Sequence, residues 1–363
     1  MNPTSPHYDV LIGGGGAIGL SLAWELSGRG AKVCLVEREQ PGRQASWAGA
    51  GMIPPGPKTD RWPSCGVMAK LAGLSDQLHA DWSQRLKDLT GVDNGYRRCG
   101  AVYLEAADAA APPLGDHAEL WSAWGVEHLR LDRATLVDIE PGLDSGDKRI
   151  DSGVLLPGEA QIRNPRHVRG LQEACRMCGV SILSGVAAHR LDVDSAGSIV
   201  VHTDAGTFGA ERFCIATGCW SSQLAQQLAP PLPIRPVRGQ IAMIAGPPGH
   251  LKRNVNVGPR YLVPRDDGRI LIGSTEEEAG FAAHTTAEAI ADLRRFAAAL
   301  APKLAEFPLE RSWAGLRPAT PDGMPYLGRL ADWPNVWIAA GHFRAGLQLS
   351  PATAVIMADL MTG

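Results

Sequence analysis

The hydrophobic pattern near the start of the chain predicts a strand, a turn, a helix and a second strand. Residues 8–12 form a short apolar run of the kind that is buried in a parallel sheet. The helix that follows repeats its apolar residues at helical spacing, at Ile18, Leu22 and Leu26. A second apolar strand is predicted at 31–36, so the segment has the order of a βαβ unit.

The turn between the first strand and the helix is rich in glycine. Gly14, Gly16 and Gly19 fit the spacing G-x-G-x-x-G, which gives a tight turn, close backbone approach to a pyrophosphate, and close helix packing. The helix would point free N–H groups at the phosphates. Glu37 follows the second strand, where an acid suits a ribose hydroxyl pair and disfavours a 2′-phosphate. The motif therefore predicts FAD or NAD binding, and not NADP, without separating the first two.

Periodicity predicts that helices and strands continue to alternate along the chain. Helices are expected at 65–89, 116–124, 132–140, 165–178, 285–304 and 347–361, and strands at 99–104, 152–156, 181–183, 187–193, 198–203, 212–217, 240–245, 261–264, 269–273 and 335–340. A proline-rich linker is predicted at 230–236, and 313–328 is predicted to be irregular because it is rich in proline and glycine. Pro351 is acceptable in the last helix only within its first turn. The pattern is that of an α/β fold with a Rossmann-like domain and a second, mixed α+β domain.

Composition excludes several classes of protein. The chain has 363 residues, of which 45% are apolar and 20% charged, so it has room for about two ordinary globular domains. A net charge of −3 without a basic block argues against nucleic-acid binding. No apolar run is long enough to cross a membrane, and residues 1–7 lack the core of a signal peptide. Seven scattered cysteines fit a reducing cytoplasm, and Cys175 and Cys178 are interpreted as packing residues rather than metal ligands.

Hydrolase and phosphate-transfer motifs are absent from the sequence. It contains no G-x-S-x-G elbow, no H-E-x-x-H and no Walker A lysine loop. A dinucleotide fold without another catalytic motif points to redox chemistry carried by the cofactor. The segment at 46–52 has little side-chain bulk, so its backbone could approach a large flat group, although taken alone it is also typical of a flexible loop.

Four short segments carry a likeness to a known family. They are AGAGM at 48–52, YLVPR at 261–265, WAGLRP at 313–318 and GHFRAG at 341–346. With these segments the chain resembles the D-amino-acid oxidase superfamily of FAD-dependent amine oxidases, and most of all the bacterial glycine oxidases of thiamine synthesis. The likeness spans nearly the whole chain and is weakest at 106–151. We predict a discontinuous FAD-binding domain at 1–90, 157–230 and 311–363, and a substrate-binding domain at 91–156 and 231–310.

The resemblance implies that FAD is bound without a covalent bond and is contacted mainly by turns. Besides Gly14, Gly16 and Gly19, the implied contacts are Ala17 and Ile18 at the pyrophosphate, Glu37 and Arg38 at the ribose, Ala45, Ser46, Ala50, Gly51 and Met52 at the flavin, Ala187 near the adenine, Gly218 and Trp220 beside the cofactor, and His342, Phe343, Arg344, Ala345, Gly346, Leu347 and Gln348 at the pyrimidine end of the flavin ring. The last helix would then place N–H donors where reduced flavin gathers negative charge. An ordinary packed C-terminal helix is the plainer interpretation, and both can hold.

The resemblance also implies which residues contact the substrate. Arg317 looks like the anchor for a carboxylate, because an arginine offers a permanently charged planar fork. Tyr261, Arg344 and Met52 would border the same pocket. The alternatives are a surface salt bridge for Arg317, a core position for Tyr261, and contact with the flavin or another subunit for Arg344.

These residues imply FAD-dependent oxidative deamination of glycine or a related small or N-substituted amino acid. A hydride would pass from the substrate Cα–H to flavin N5, and dioxygen would be reduced to hydrogen peroxide. No protein base is required, so catalysis would consist mainly of orientation by Arg317 and Tyr261. The alternatives are a D-amino-acid or sarcosine-like secondary amine oxidase, a dehydrogenase that reduces a carrier, and a dinucleotide-binding subunit without turnover. The family further implies a cytoplasmic protein and a homo-oligomer, a tetramer.

Two positions depart from the glycine oxidase pattern. Pro259 stands where that pattern has histidine, and Glu276 stands where it has methionine. Either change could alter the size of the substrate or admit an amine with a second polar group. The plainer interpretation of the run Glu276, Glu277 and Glu278 is a solvated acidic loop.

Overall fold

A computed structural model describes residues 6–105, 113–143, 152–194, 197–226 and 232–363. The strands are β1 His7–Gly13, β2 Val33–Glu37, β3 Met52–Ile53, β4 Arg97–Arg98, β5 Ala101–Leu104, β6 Leu129–Asp132, β7 Ser152–Leu156, β8 Ala160–Gln161, β9 Ser181–Ser184, β10 Ala188–Val193, β11 Ile199–Thr203, β12 Gly206–Ile215, β13 Arg235–Ala245, β14 Asn254–Val257, β15 Arg260–Pro264, β16 Arg269–Gly273, β17 Leu309–Ala319, β18 Tyr326–Arg329 and β19 Val336–Ala340. The α-helices are α1 Ala17–Gly28, α2 Ala45–Ala48, α3 Val67–Thr90, α4 Leu114–Ala123, α5 Arg133–Ile139, α6 Asn164–Met177, α7 Ser221–Ala225, α8 Ala287–Leu300 and α9 Gly346–Thr362.

The first sheet has a parallel centre made of β9, β2, β1, β12 and β19. In β1 the residues Val10, Leu11 and Ile12 are each at most 1% exposed, so both faces of the strand are buried, as its continuous apolar run predicts. Helices α1, α3, α6 and α9 cover one face, and the antiparallel strands β10 and β11 together with α7 supply apolar residues to the other. The carboxyl ends of the parallel strands therefore meet at one open edge.

The second sheet has the order β17-β13-β16-β15-β14-β5-β7-β6 and is antiparallel except between β14 and β5. Helix α8 packs on it through a core that includes Ile244, Leu262 and Leu293. A small third sheet joins β3, β8 and β4. The α/β fold class predicted from the sequence is confirmed.

One predicted element is wrong. Residues 313–328 are not irregular, because β17 runs through Leu309–Ala319 and β18 through Tyr326–Arg329. Strand β17 lies at the edge of its sheet, with Pro318 opposite Pro236 of β13. A proline has no backbone N–H to donate, but an edge strand has no neighbour on its outer side that would need that donor. It also crosses the domain boundary predicted at 310 and pairs with β13 of the second sheet. The division of the chain into two domains stays a prediction.

The last helix begins one residue earlier than predicted, so Pro351 lies in its second turn. A proline there leaves the carbonyl of Leu347 without an N–H donor. The hydroxyl of Ser350 donates to that carbonyl at 3.0 Å. The next carbonyl, of Gln348, accepts from the Ser75 hydroxyl at 2.5 Å and from His79 Nε2 at 2.7 Å. Side chains of α3 and α9 thus replace the missing ladder and hold the first turn of α9 in place.

Two sequence predictions extend outside the described residues. Residues 230 and 231 of the proposed linker are outside them, and 232–234 lead directly into β13. The first five residues, which were expected to lack a signal-peptide core, also lie outside. Within the described residues, no helix is long and apolar enough to cross a membrane.

Candidate active site

A cavity of about 700 Å³ opens at the carboxyl edge of the parallel strands and reaches the face of the second sheet. Of the predicted cofactor and substrate residues, all but Gly19 line this cavity. The first sheet and the segments that follow its strands contribute Gly14, Gly16, Ala17, Ile18, Glu37, Arg38, Ala187, Gly218, Trp220, His342, Phe343, Arg344, Ala345, Gly346, Leu347 and Gln348. The segment from α2 to β3 contributes Ala45, Ser46, Ala50, Gly51 and Met52, and the second sheet contributes Tyr261 and Arg317. The fold therefore brings together positions that are up to 334 residues apart, from Gly14 to Gln348.

The glycine turn leaves no room for side chains. Gly14 has a φ of 111°, and a Cβ on it would lie 2.4 Å from the carbonyl oxygen of Ala216. A Cβ on Gly19 would lie 2.0 Å from the carbonyl oxygen of Gly14. Gly19 is thus a packing residue that holds α1 against the turn, while Gly14 and Gly16 face the cavity. The helix N-terminus and bare backbone of this turn fit the phosphates of a dinucleotide.

Glu37 is the last residue of β2, and Arg38 follows it at the same edge. The Glu37 carboxylate accepts the N–H of Gly15 at 2.8 Å and the N–H of Glu39 at 3.0 Å, which fixes its orientation beside the turn. The guanidinium of Arg38 lies over the ring of Trp220, 3.8 Å from its centroid, and both residues line the cavity. An oriented acid next to the glycine turn fits a ribose hydroxyl pair.

The segment between Ala45 and Met52 forms a floor of small residues. Gly51 has a φ of 77°, and a Cβ on it would lie 2.0 Å from the carbonyl oxygen of Ile162. Arg265, which is buried, donates to the carbonyls of Ala50 at 2.6 Å and of Ile162 at 3.1 Å. Burial lowers the pKa of Arg265 to about 10, so it remains charged at neutral pH. These contacts make the segment a fixed surface rather than a flexible loop, and it fits one face of a flat ring.

Two residues that hold this floor were missed by the sequence analysis. Asn164 lines the cavity, and its Nδ2 donates to the carbonyl of Ser46 at 3.0 Å. The Ser46 hydroxyl in turn accepts the N–H of Ala17 at 2.8 Å, at the start of α1. Arg265 belonged to a recognised segment, but no pattern signals that its side chain turns back to the floor. Asn164 begins α6, more than 100 residues away in sequence, so only the fold reveals it.

The start of α9 closes the cavity from a third side. Gly346, Leu347 and Gln348 line it, so the first N–H groups of the helix lie there. His342 just before them is buried, and burial lowers its pKa to about 4, so the ring is neutral at neutral pH. Its Nε2 lies 3.0 Å from the hydroxyl of Thr353. Any positive potential at this end therefore comes from the helix N-terminus and not from His342.

The second sheet supplies the wall that carries charge. Strands β13 and β17 pair so that Gly239 lies opposite Gly315, two residues from Arg317. A Cβ on Gly239 would lie 2.0 Å from the Arg317 guanidinium, so this glycine makes room for the side chain. Tyr261 lies opposite Gly273 in the β15–β16 pair, and its ring covers that glycine in the same way. Glycines on neighbouring strands thus let two large side chains lie flat against the sheet beside the cavity.

Arg317 has only neutral partners among the described residues. Its guanidinium donates to the Ser274 hydroxyl at 2.7 Å and to the Thr275 carbonyl at 3.1 Å. Burial lowers the pKa of Arg317, and the positive charge of Arg344 lowers it further. A half-buried guanidinium that faces the cavity and has no carboxylate among its described hydrogen-bond partners is suited to bind an anionic ligand. The surface salt bridge considered as the alternative for Arg317 is therefore not observed.

Arg344 is placed differently. It donates to the Glu276 carboxylate at 3.2 Å and to the Pro259 carbonyl at 2.7 Å. Both positions that depart from the glycine oxidase pattern therefore contact the same arginine at the cavity rim. The glutamate run does lie in a loop with Glu276 and Glu278 exposed, as the plainer interpretation expects, but Glu277 also pairs with Arg238 and Glu278 with Arg235.

Comparisons with known proteins agree with this geometry. The family model for FAD-dependent oxidoreductases of the DAO type matches residues 9–360. The chain is 36% identical to the glycine oxidase of Pseudomonas aeruginosa over 98% of its own length and 94% of that protein. It is 34% identical to the bifunctional protein ThiO/ThiG of Nostoc sp. over 97% of its own length, which is 52% of that longer protein.

A solved structure gives the same result. The chain superposes on the crystal structure of glycine oxidase from Geobacillus kaustophilus with a TM-score of 0.91 and 31% identity, covering 99% of this chain and 95% of that one. The bare glycine turn, the oriented acid and the flat floor are the features that FAD requires, so the residues present fit this cofactor. The chain belongs to the DAO family of FAD-dependent oxidoreductases and is an FAD-dependent amine oxidoreductase.

Proposed function

We propose that this enzyme oxidatively deaminates glycine or a related small or N-substituted amino acid and reduces dioxygen to hydrogen peroxide. The observation that carries the proposal is the guanidinium of Arg317, which faces the cavity with only the neutral groups of Ser274 and Thr275 as partners. An amino-acid carboxylate would complete its hydrogen bonds in a bidentate arrangement. The relatives named as glycine oxidases support the choice of substrate.

FAD, when bound, would supply the redox chemistry of a two-electron oxidation at the substrate Cα with dioxygen as the acceptor. Arg317 binds the substrate carboxylate, and the buried Tyr261 beside it offers a phenol to the same group. These two contacts set the direction in which the α-carbon points, and orientation of this kind lowers the entropic part of the barrier. Ala50 lines the cavity with only a methyl group, which leaves room for a compact substrate between the floor and the wall.

The charges of the wall also favour the reactive form of the substrate. An amine must be neutral to become an imine, and a nearby positive charge lowers the pKa of an ammonium group. Arg317 and Arg344 both line the cavity, and because Glu276 balances Arg344, the unbalanced positive charge that a cationic amine meets there is that of Arg317. No protein base is needed when the surroundings themselves disfavour the ammonium form.

The test is a peroxide-coupled screen of the holoenzyme with glycine, N-alkylglycines and both enantiomers of alanine. We expect the highest kcat/KM for glycine or an N-alkylglycine, with peroxide formed in proportion to substrate consumed. Anaerobic mixing with the same amino acids should bleach the flavin absorbance. Bleaching without peroxide in air would replace the oxidase by a dehydrogenase that uses another acceptor. Flavin that stays oxidised with every amino acid would refute the proposal.

A further inference from the structure

The two arginines that line the substrate end of the cavity differ in what balances their charge. Arg317 is bonded to Ser274 and Thr275, which carry no charge. Arg344 is bonded to the Glu276 carboxylate at 3.2 Å. One positive charge therefore remains for a ligand, and the other is already balanced by the protein.

Glu276 is held in place by the residues around it. The next residue, Glu277, exchanges two backbone hydrogen bonds with Arg238 of β13, at 2.9 Å and 3.0 Å. Its carboxylate also accepts from Gln240 at 2.8 Å and from the buried side chain of Arg238. Because this anchor fixes the backbone one residue away, Glu276 is presented to the cavity rim rather than left in a mobile loop.

The pair itself is only half-buried, with 48% of the Glu276 side chain and 33% of the Arg344 side chain exposed. Exposed ion pairs contribute little to folding stability, so this one is dispensable for the fold. Its effect on a ligand is different, because a carboxylate of the ligand would have to compete with Glu276 for the same guanidinium and would be repelled by it. A ligand with a single carboxylate needs only Arg317 and leaves the pair intact.

We propose that Glu276 determines specificity by occupying Arg344, so that the enzyme accepts amino acids with one carboxylate and rejects those with two. This inference rests on the proposed function, since it concerns the same pocket and the same anchoring role of Arg317. It assigns Glu276 a positioning role rather than a catalytic one, because the residue acts on the ligand through Arg344. It also gives a physical role to a position at which the chain departs from the glycine oxidase pattern.

The test measures binding of two unreactive ligands, acetate with one carboxylate and malonate with two, through the change each causes in the flavin absorbance at constant ionic strength. In Glu276→Gln the Kd of malonate should fall by about fivefold relative to wild type, the upper range for an exposed ion pair. The Kd of acetate should change less, by under about twofold, because Arg317 keeps its hydrogen-bond partners and is influenced by Glu276 only through the charge of that residue and not through a hydrogen bond. The KM for glycine should change as little as the Kd of acetate does.

Two further variants separate this explanation from others. Glu278→Gln removes a charge from the same run, but its partner Arg235 is exposed and does not line the cavity, so malonate should bind as in wild type. In the Arg344→Met background, Glu276→Gln should no longer improve malonate binding. An equal gain in Glu278→Gln, a gain that persists without Arg344, or unchanged or absent malonate binding in Glu276→Gln would each overturn the proposal. If these ligands are distinguished as expected while no amino acid bleaches the flavin, the proposed function fails, and the selection by Glu276 against ligands with two carboxylates is retained without it.

Discussion

The two ends of the cavity are built by different means. At the end next to β1, the surface is backbone: glycines without room for a Cβ, the N-terminus of α1, and a carboxylate locked onto the turn. At the other end, the surface is side chain: the guanidinium of Arg317 and the phenol of Tyr261, which lie on glycines of the second sheet, and the guanidinium of Arg344. A surface made of backbone tolerates almost no substitution, whereas one substitution in a charged wall can change which ligand it binds. The cofactor end is therefore expected to be fixed, and the substrate end to be adjustable.

The comparison is tested most strongly at Arg317. Arg317→Ala removes the charged anchor and should weaken binding of an amino-acid substrate by about 2–5 kcal/mol. This loss should appear as a lower kcat/KM, mostly through a higher KM. FAD should remain bound, because the glycine turn and the floor are untouched. Steady-state kinetics and the flavin content of the purified variant measure both effects. Arg311→Ala on the same strand, which does not line the cavity, is the control. Unchanged kinetics in Arg317→Ala would remove this residue from the site.

The backbone end is tested by adding one methyl group. Gly19→Ala places a Cβ 2.0 Å from the Gly14 carbonyl oxygen, so the helix must move away from the turn, at a cost of about 3 kcal/mol. We expect weakened FAD retention together with a lower melting temperature. Gly28→Ala at the other end of α1 meets nothing within 4 Å and should be neutral or slightly stabilising. Full FAD occupancy in Gly19→Ala would show that the turn is less constrained than its geometry indicates.

His79, which bonds the Gln348 carbonyl in the first turn of α9, should make the free energy of unfolding depend on pH. Burial lowers the pKa of His79 to about 4, from 6.5 in an exposed histidine. The unfolded chain therefore takes up a proton below pH 6.5 that the folded chain takes up only near 4. The stability that the neutral ring contributes is full above pH 6.5 and is lost as the pH falls towards 4, and the loss already amounts to about 2 kcal/mol at pH 5.

Between pH 7.5 and pH 5 the free energy of unfolding should accordingly fall by about 2 kcal/mol less in His79→Gln than in wild type. Urea unfolding of the holoenzyme at the two pH values measures this difference. Glutamine at this position can still donate to the carbonyl of Gln348. The exposed His284 provides the control, since His284→Gln should keep the pH profile of wild type. Parallel profiles for His79→Gln and wild type would contradict the assignment.

The smallest effect is expected where a side chain supports the backbone end. Ser46→Ala removes the acceptor of the Ala17 N–H, which is one hydrogen bond of about 1 kcal/mol. FAD affinity should fall by roughly fivefold, and the melting temperature should change little. A loss of FAD as severe as that in Gly19→Ala would mean that this end also depends on side chains, and the contrast between the two ends would weaken.

Much of the fold was readable because its signals are local. The strand, turn and helix at 7–28 follow from a continuous apolar run and from glycine spacing, and both lie within one short window. Strand β17 was missed because glycine and proline are as frequent in it as they are in loops. Those residues serve the tertiary structure instead: Gly315 makes room against Ala48, and Pro318 lies in an edge strand.

By itself, the sequence determined that a dinucleotide lies against the carboxyl edge of a parallel sheet, because the required backbone geometry is encoded by three glycines and an acid in one βαβ unit. Only the tertiary structure decided which arginine is left with uncharged partners and which is paired. The partners of Arg317 lie 42 and 43 residues away in sequence, and the glutamate that binds Arg344 lies 68 residues away. Charge balance depends on distances between side chains, and those distances are set by strand register and loop anchoring rather than by any pattern along the chain.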